Sequence, residues 1–143
     1  MKKNIEEKVQ GPSKDMTELA QLMMARAHAP YSGFAVGAVL RGANGKLYGG
    51  CNVENAAYPQ SSCAEANAIG VMIADGEQRI AEVLVMAEGE SLVTPCGGCR
   101  QRLREFAGDD VAVHLCDPKA LRRTVTLGEL LPLSFGPNHL KTA

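Results

Sequence analysis

Two short cysteine clusters, well separated along the chain, constrain its fold more than any other feature. The first is Cys63-Ala64-Glu65 and the second is Pro95-Cys96-Gly97-Gly98-Cys99. Three cysteine ligands leave the fourth position of a tetrahedral zinc ion free for water, which is typical of a catalytic site, whereas a structural site closes all four positions. The carboxylate two residues after the first cysteine is suited to exchange protons with that water. The chain is therefore expected to bring both clusters together.

Each cluster is predicted to lie at the start of a helix. The residues from Cys63 to Asp75 follow Ser62 and are apolar or small up to Gly76. The residues from Cys96 to Ala107 follow Pro95 and repeat apolar side chains at helical spacing. Free backbone N–H groups and the positive end of the helix dipole favour a thiolate at such positions. Two helix starts directed at one point would form a metal site.

The length and composition favour a single domain. The chain has 143 residues, of which 45% are hydrophobic, enough for one sizeable core. We expect residues 1–12, which are charged and aperiodic, to form a flexible tail, and residues 13–143 to form one catalytic domain. No segment has the length and apolar character of a membrane span, and the polar N-terminus does not resemble a signal peptide. We expect a cytoplasmic protein that does not contact membranes.

The charge and the cysteine count exclude two function classes. The formal net charge is −1 and the sequence has no basic run, which argues against nucleic acid as the natural substrate and favours a small molecule. Five cysteines are an odd number, and their spacing is typical of metal binding rather than of a disulfide framework. Cys51 and Cys116 fall in predicted strands and are expected to be inert apolar residues.

Strands alternate with helices, which predicts an α/β domain. An amphipathic helix is predicted over residues 16–27, before Pro30. Ala43-Asn44-Gly45 predicts a hairpin, because Asn-Gly tolerates positive φ. The predicted strands are residues 34–41, 46–53, 81–87, 111–116 and 124–126, and a short helical turn follows at residues 128–131. The hairpin and the later crossovers together predict a mixed sheet.

Further motifs, in the same order along the chain, are similar to those of one enzyme family. They are Pro30–Ala38, Gly50–Ala56, Pro95–Gln101, and Leu130-Leu131-Pro132 with Ser134-Phe135-Gly136-Pro137. With the zinc motif, the similarity runs over residues 16–140. The chain resembles the small homotetrameric cytidine deaminases. The resemblance implies a three-layer α/β/α domain with a mixed sheet of about five strands, assembled as a homotetramer.

The resemblance also implies the chemistry. Cys63, Cys96 and Cys99 would hold one zinc ion per subunit, and Glu65 would be the catalytic proton carrier. In the family's reaction, zinc lowers the pKa of a water molecule, hydroxide attacks C4 of the pyrimidine, and the glutamate protonates N3 and then the departing amine. The implied reaction converts cytidine or 2′-deoxycytidine to uridine or 2′-deoxyuridine and ammonia, as in pyrimidine salvage.

Five residues of this chain match the family's substrate-binding positions. By resemblance, Phe34 would pack against the nucleoside. Asn52 and Glu54, two residues apart in extended chain, would bind the ribose hydroxyls. The backbone at Ala64 and Thr94 would bind the edge of the base. A free base would leave the amide and the carboxylate unpaired, so the site is expected to prefer nucleosides.

Three further substrate-binding positions belong to neighbouring subunits in this family. They correspond here to Ala56, Tyr58 and Phe135. The resemblance therefore implies that each pocket is complete only in the homotetramer.

One position departs from the family pattern. The family commonly has arginine directly after the catalytic glutamate, where its charge offsets that of the three thiolates, and this chain has Ala66. We predict that N–H groups at the helix starts take over this role, aided by Arg100, Gln101 or Asn67.

Other functions are also compatible with parts of the pattern. A related zinc deaminase could act on another aminated heterocycle, such as an aminopyrimidine nucleoside antibiotic, although a ribose-binding pair would then lack its partner. A nucleic-acid base editor conflicts with the net charge. A structural zinc site or a redox Cys-x-x-Cys would leave Glu65 unexplained. The histidines at positions 28, 114 and 139 lie in no ligand spacing and are assigned no function.

Overall fold

The computed structural model describes residues 10–140 and has five strands and four α-helices there. The strands are β1 (Val36–Gly42), β2 (Leu47–Cys51), β3 (Ile80–Ala87), β4 (Ala112–Cys116) and β5 (Leu121–Thr126). The helices are α1 (Lys14–Arg26), α2 (Ala64–Ala74), α3 (Gly97–Phe106) and the short α4 (Leu127–Leu130). Most of the tail predicted for residues 1–12 lies outside the described residues.

The strands form one mixed sheet in the order β2-β1-β3-β4-β5. β1 pairs antiparallel with both β2 and β3, and β4 pairs antiparallel with β5. β3 and β4 pair in parallel, with α3 in the crossover between them. The β1–β2 hairpin turns at Gly45, whose φ of 82° is in the left-handed region that glycine adopts without strain. The predicted hairpin and mixed sheet are confirmed.

Three strand boundaries differ from the predicted ones by two residues or more, and the first is the end of β2, at Cys51 rather than at residue 53. β1 begins at Val36 rather than at residue 34, because the Asn52 side chain bonds to the N–H of Val36 and the carbonyl of Phe34 in place of a strand partner. β5 begins at Leu121 rather than at residue 124, and Leu121 pairs with the last residue of β4. The two arginines that follow Leu121 interrupt the apolar alternation, so the sequence pattern did not predict the start of this strand.

Helix α1 follows the predicted pattern. Ser13 caps its N-terminus by accepting a hydrogen bond of 3.3 Å from the N–H of Met16. Met16 and Ala20 are fully buried, and the helix ends at Arg26, before Pro30. Neither α1 nor any other helix within residues 10–140 has both the length and the apolar character needed to cross a membrane.

The larger core lies between the sheet and helices α2 and α3. Ala38 and Leu40 of β1 and Leu103 of α3 are fully buried in it. α2 approaches β2 very closely at Gly50, where a Cβ atom would lie 2.4 Å from the backbone nitrogen of Ala68. Glycine at this position therefore lets the first turns of α2 lie directly on the sheet. This packing confirms the three-layer α/β/α arrangement, with α1 on the opposite face.

The face that carries α1 contains a smaller apolar cluster and a buried polar network. His114 of β4 is fully buried, and its ring nitrogens lie 2.6 Å from Oε2 of Glu82 and 2.9 Å from the hydroxyl of Thr124. Arg41 of β1 donates to the other oxygen of Glu82 at 3.0 Å and to the α1 cap, Ser13. The network connects β1, β3, β4 and β5 on one side of the sheet.

Candidate active site

The two predicted cysteine clusters meet at one point. The sulfur atoms of Cys63, Cys96 and Cys99 all lie within 4.8 Å of one another. Three thiolates on a tetrahedral zinc ion, with Zn–S bonds of about 2.3 Å, have sulfur atoms about 3.8 Å apart. The number, type and spacing of the ligands therefore suit zinc.

The starts of two helices position these ligands. Cys63 is the N-cap residue of α2 and Cys96 is the N-cap residue of α3. Both therefore lie one residue before the helix, whereas the predicted helical residues began at Cys63 and Cys96 themselves. Cys99 lies in the first turn of α3 and is fully buried. The first backbone N–H groups of a helix have no partner within it, and that of Cys99 donates to the sulfur of Cys96.

The three thiols differ in their acidity. A hydrogen bond from the backbone N–H of Cys99 lowers the pKa of the Cys96 thiol. Burial raises the pKa of Cys63, and burial together with the negative charge of Glu65 raises that of Cys99. Two of the three thiols are thus costly to ionise without a cation among them, and the charge of a divalent ion offsets this cost.

Glu65 lies beside the cluster on the second residue of α2. The residue is only 4% exposed, although its side chain is polar. Within residues 10–140 the carboxylate makes no hydrogen bond or ion pair with another side chain, which leaves its oxygens free for substrate and water. A buried carboxylate with free lone pairs next to a metal-binding cluster is suited to carry protons.

A cavity of about 210 Å³ opens beside these groups. Four of the predicted substrate-binding residues, Phe34, Asn52, Ala64 and Thr94, line it together with Glu65 and two of the cysteines. The sequence analysis missed three aliphatic residues of its wall, Val36, Val85 and Val93. Nothing in their local sequence separates them from core valines.

Glu54 and Tyr58 line a second cavity, of about 310 Å³. Tyr31 and Ser32 also line it, and the rings of Tyr31 and Tyr58 meet edge to face with centroids 5.7 Å apart. Ala56 and Phe135 line neither cavity. Phe135 lies on the C-terminal segment and stacks on the ring of His139. One subunit therefore brings together only part of the predicted substrate site.

The predicted ribose-binding pair also holds its own loop. Asn52 donates to the carbonyl of Phe34 at 2.8 Å and accepts from the N–H of Val36 at 2.9 Å. Glu54 accepts hydrogen bonds from the N–H groups of Tyr31 and Ser32, both at 3.0 Å, and from the Ser32 hydroxyl. These bonds, of which the hydroxyl contributes most, lower the pKa of the Glu54 carboxyl and keep it ionised.

The side chains predicted to replace the family's arginine bond elsewhere. Arg100 donates to two backbone carbonyls and a threonine hydroxyl. Gln101 donates to a carbonyl of the C-terminal segment, and Asn67 to a carbonyl of β2 and a serine hydroxyl. None of these bonds goes to a cysteine sulfur, so the side-chain contribution next to Ala66 stays a prediction, whereas the backbone N–H of Cys99 does donate to the sulfur of Cys96.

Comparison with known proteins supports the geometry. A family model described as the cytidine and deoxycytidylate deaminase zinc-binding region matches residues 12–115, which include all three cysteines and Glu65. A cytidine deaminase of Sporosarcina psychrophila is 39% identical over 118 residues, 82% of this chain and 87% of that protein. The chain belongs to the cytidine deaminase family.

Solved cytidine deaminases share the fold as well. A crystal structure of cytidine deaminase from Burkholderia pseudomallei has a TM-score of 0.81 at 36% identity and covers 87% of this chain and 99% of its own. That of Mycobacterium tuberculosis has a TM-score of 0.73 at 35% identity, over 85% of this chain and 95% of its own. As a cytidine deaminase, the chain is a zinc-dependent hydrolase of the C–N bond, and the predicted family, enzyme class and cofactor are confirmed.

Proposed function

We propose that the protein hydrolyses cytidine and 2′-deoxycytidine to uridine and 2′-deoxyuridine with release of ammonia, as a step of pyrimidine salvage. One observation carries this proposal: the buried, free carboxylate of Glu65 lies next to the three-thiol cluster at the wall of a cavity. Family membership supports the proposal and does not favour the alternative, which is deamination of another aminated heterocycle.

In the proposed mechanism Glu65 moves two protons. Cys63, Cys96 and Cys99 would hold a zinc ion, which when bound would act as a Lewis acid and lower the pKa of a water molecule toward neutrality. Glu65 takes a proton from this water as the water oxygen adds to C4 of the base. Glu65 then delivers that proton to N3 of the ring. It then transfers the second proton of the water to the amino group, which leaves as ammonia. One water is consumed and the proton balance closes.

The other predicted residues bind the nucleoside, four of them in the cavity beside Glu65, and Glu54 in the second cavity. Phe34 packs against it, and the backbone at Ala64 and Thr94 binds the base edge. Asn52 and Glu54 bind the ribose hydroxyls with the N–H and lone pairs that their bonds within the loop leave unused. The ionised state of Glu54 supports this role, because a carboxylate is a stronger acceptor for a hydroxyl than a carboxylic acid is.

The proposed active form is a homotetramer in which Ala56, Tyr58 and Phe135 of neighbouring subunits complete each pocket. The support is their exposure in the single chain: Tyr58 is 70% and Phe135 56% exposed, and Leu133 beside it is completely exposed. Leu133 and Phe135 lie on one segment, and exposed apolar side chains that lie together are typical of an interaction surface. Sedimentation velocity measures the assembly, and a monomeric active enzyme would contradict this part of the proposal.

We also propose that the enzyme acts in the cytoplasm, as a single domain over residues 13–143. The five cysteines at positions 51, 63, 96, 99 and 116 are all free. Three of them must remain thiolates to bind zinc, and a reducing compartment preserves that state.

The test is turnover of cytidine by the zinc-loaded protein, followed by the ultraviolet change of the base and by ammonia release. Glu65→Gln keeps the size and the three ligands but cannot carry protons, so we expect kcat to fall by roughly 10²- to 10⁴-fold. Glu105→Gln, an exposed change on α3, is the matched control. Metal analysis must show the same zinc content in all three proteins.

Two results would overturn the proposal. A zinc-loaded wild-type protein that leaves both cytidine and 2′-deoxycytidine unchanged would exclude them as substrates. Turnover that Glu65→Gln retains in full would place the proton carrier elsewhere.

A further inference from the structure

The loop between β3 and α3, residues 88–95, joins the sheet to the zinc cluster. Val93 and Thr94 of this loop line the cavity, and Cys96 follows directly. Within the part of the chain that the structure describes, residues 88–95 make no backbone–backbone hydrogen bond. The shape of a loop without such bonds depends on the side chains that bind its polar groups.

The first half of the loop is bound by Arg122 of β5. One guanidinium nitrogen, Nη1, donates to the carbonyls of Gly89 at 2.9 Å and Ser91 at 3.2 Å. The other, Nη2, donates to the carbonyl of Glu90 at 2.8 Å. Three consecutive carbonyls thus converge on one planar group, an arrangement that matches the fork of arginine and not the single ammonium of lysine.

The second half of the loop is bound by Arg100 of α3. Its Nε donates to the carbonyl of Pro95 at 2.8 Å, and Nη2 donates to the hydroxyl of Thr94 at 2.9 Å. Its Nη1 donates to the carbonyl of Leu130 at 2.8 Å, at the end of α4. Arg100 also follows the zinc ligand Cys99 directly, so the same helical turn carries a ligand and the support of the loop.

We propose that Arg100 and Arg122 are positioning residues that hold the loop of residues 88–95 so that Thr94 meets the base of the substrate. This inference rests on the proposed function, because it takes the base edge as the partner of Thr94. Neither arginine lines the cavity, so each acts on the substrate through the loop and not by direct contact. Because the base is recognised before and during the reaction, loosening the loop raises KM more than it lowers kcat.

The chain offers a neighbouring control for each arginine. Arg123 follows Arg122 on β5, and Arg102 lies two residues after Arg100 on α3. Neither control side chain makes a hydrogen bond or an ion pair within residues 10–140. Arg123→Ala and Arg102→Ala therefore remove the same charge from the same element without releasing the loop.

Two measurements on the zinc-loaded protein test the proposal. The first is the rate of cleavage after Glu88 and Glu90 by a glutamate-specific protease, which measures opening of the loop and requires no turnover. The second is the separate measurement of KM and kcat for cytidine, with zinc content determined for every variant. For Arg122→Ala we expect about tenfold faster cleavage in the loop, a KM raised about five- to tenfold, and a kcat within about twofold of wild type.

Arg100→Ala should have the larger effect, because it releases Thr94 itself. Arg122→Lys should restore only part of the wild-type behaviour, because one ammonium nitrogen replaces the two guanidinium nitrogens that reach the three carbonyls. If loop cleavage in Arg122→Ala equals that in Arg123→Ala, the proposal is wrong. It is also wrong if the loop loosens while the KM of an active enzyme stays unchanged. If wild type does not deaminate cytidine, the proposed function fails, and loop cleavage alone then decides whether the arginines hold the loop.

Discussion

The candidate site has two halves that are held in place by different forces. The metal half, which contains the three cysteines and Glu65, lies at the starts of α2 and α3, and these helices are packed on the larger core. The recognition half, with Phe34 and Thr94, lies on two loops that side-chain hydrogen bonds hold. Chemistry that needs fixed ligand geometry is placed on packed helices, and substrate contacts are placed on loops that polar groups can adjust.

This difference has an energetic consequence. Packing on the sheet is lost only when the core opens, so the metal half should be as stable as the domain itself. The bonds of the recognition half are partly exposed, and each contributes only about 0.5–1.5 kcal/mol. Changes in the metal half should therefore act on kcat, metal content or folding, whereas changes in the recognition half should act mainly on KM.

Cys99→Ala has the largest expected effect, because it removes a fully buried ligand of the metal half. Two cysteines cannot retain zinc as three do, and deamination should fall roughly a thousandfold or more. Metal analysis and cytidine turnover check this outcome. Cys51→Ala, on β2 and outside the cluster, should keep both zinc and activity. Normal zinc content in Cys99→Ala would contradict the assigned ligand set.

Gly50→Ala tests whether packing holds the metal half. Its Cβ would lie 2.4 Å from the nitrogen of Ala68 and 2.5 Å from the carbonyl oxygen of Ala64, both backbone atoms that cannot move without shifting α2. We expect a loss of about 1–3 kcal/mol in the free energy of unfolding, together with a lower kcat. Denaturant unfolding and turnover measure these effects.

Gly49→Ala is the matched control for this change. Its Cβ would meet only the flexible side chains of Met23 and Leu19, which can give way. Equal destabilisation by the two substitutions would show that the position of α2 does not depend on this close approach.

Ser32→Ala has the smallest expected effect and belongs to the recognition half. The Ser32 hydroxyl contributes most to the lowered pKa of Glu54, so its loss raises that pKa toward the ordinary value of a glutamate. As the pH falls, Glu54 then becomes protonated at a higher pH than in wild type. The rise of KM on the acid side should shift to higher pH, with a change of about two- to threefold at neutral pH.

Glu54→Gln sharpens this test. A glutamine at this position does not titrate, so the acid-side rise of KM that belongs to Glu54 should be absent, and KM should be high at every pH. If the KM profiles of Ser32→Ala and wild type coincide, the ionised carboxylate is not what binds the ribose.

The metal half could be predicted from the sequence because its signals are local. Cys63 and Cys96 precede clear helical patterns. The spacing of the thiols and the carboxylate indicates a zinc site with a proton carrier. The hairpin at Gly45 and the crossover helix likewise follow from local turn residues and periodicity. These features need no knowledge of which residues meet in three dimensions.

The recognition half could be predicted only in part, because its contacts join distant segments. Arg122 lies 33 positions from Gly89 and Arg100 lies 30 positions from Leu130, and no local pattern connects these pairs. The hydrogen-bond partners of Arg100 could not be predicted for this reason. Its charge suggested an anionic partner, whereas the fold presents it with neutral carbonyls.

The buried pair of His114 and Glu82 has a consequence for misfolding. Because side chains alternate along a strand, a shift of β4 by one residue against β3 would turn the imidazole away from Glu82 and into the apolar core beneath α2 and α3. The imidazole would then lose its partner and the carboxylate its donor, at a cost that no apolar contact there would recover. The pair thus disfavours a misaligned pairing of β3 and β4. It thereby fixes the position of the end of β3, from which the loop to the zinc site begins.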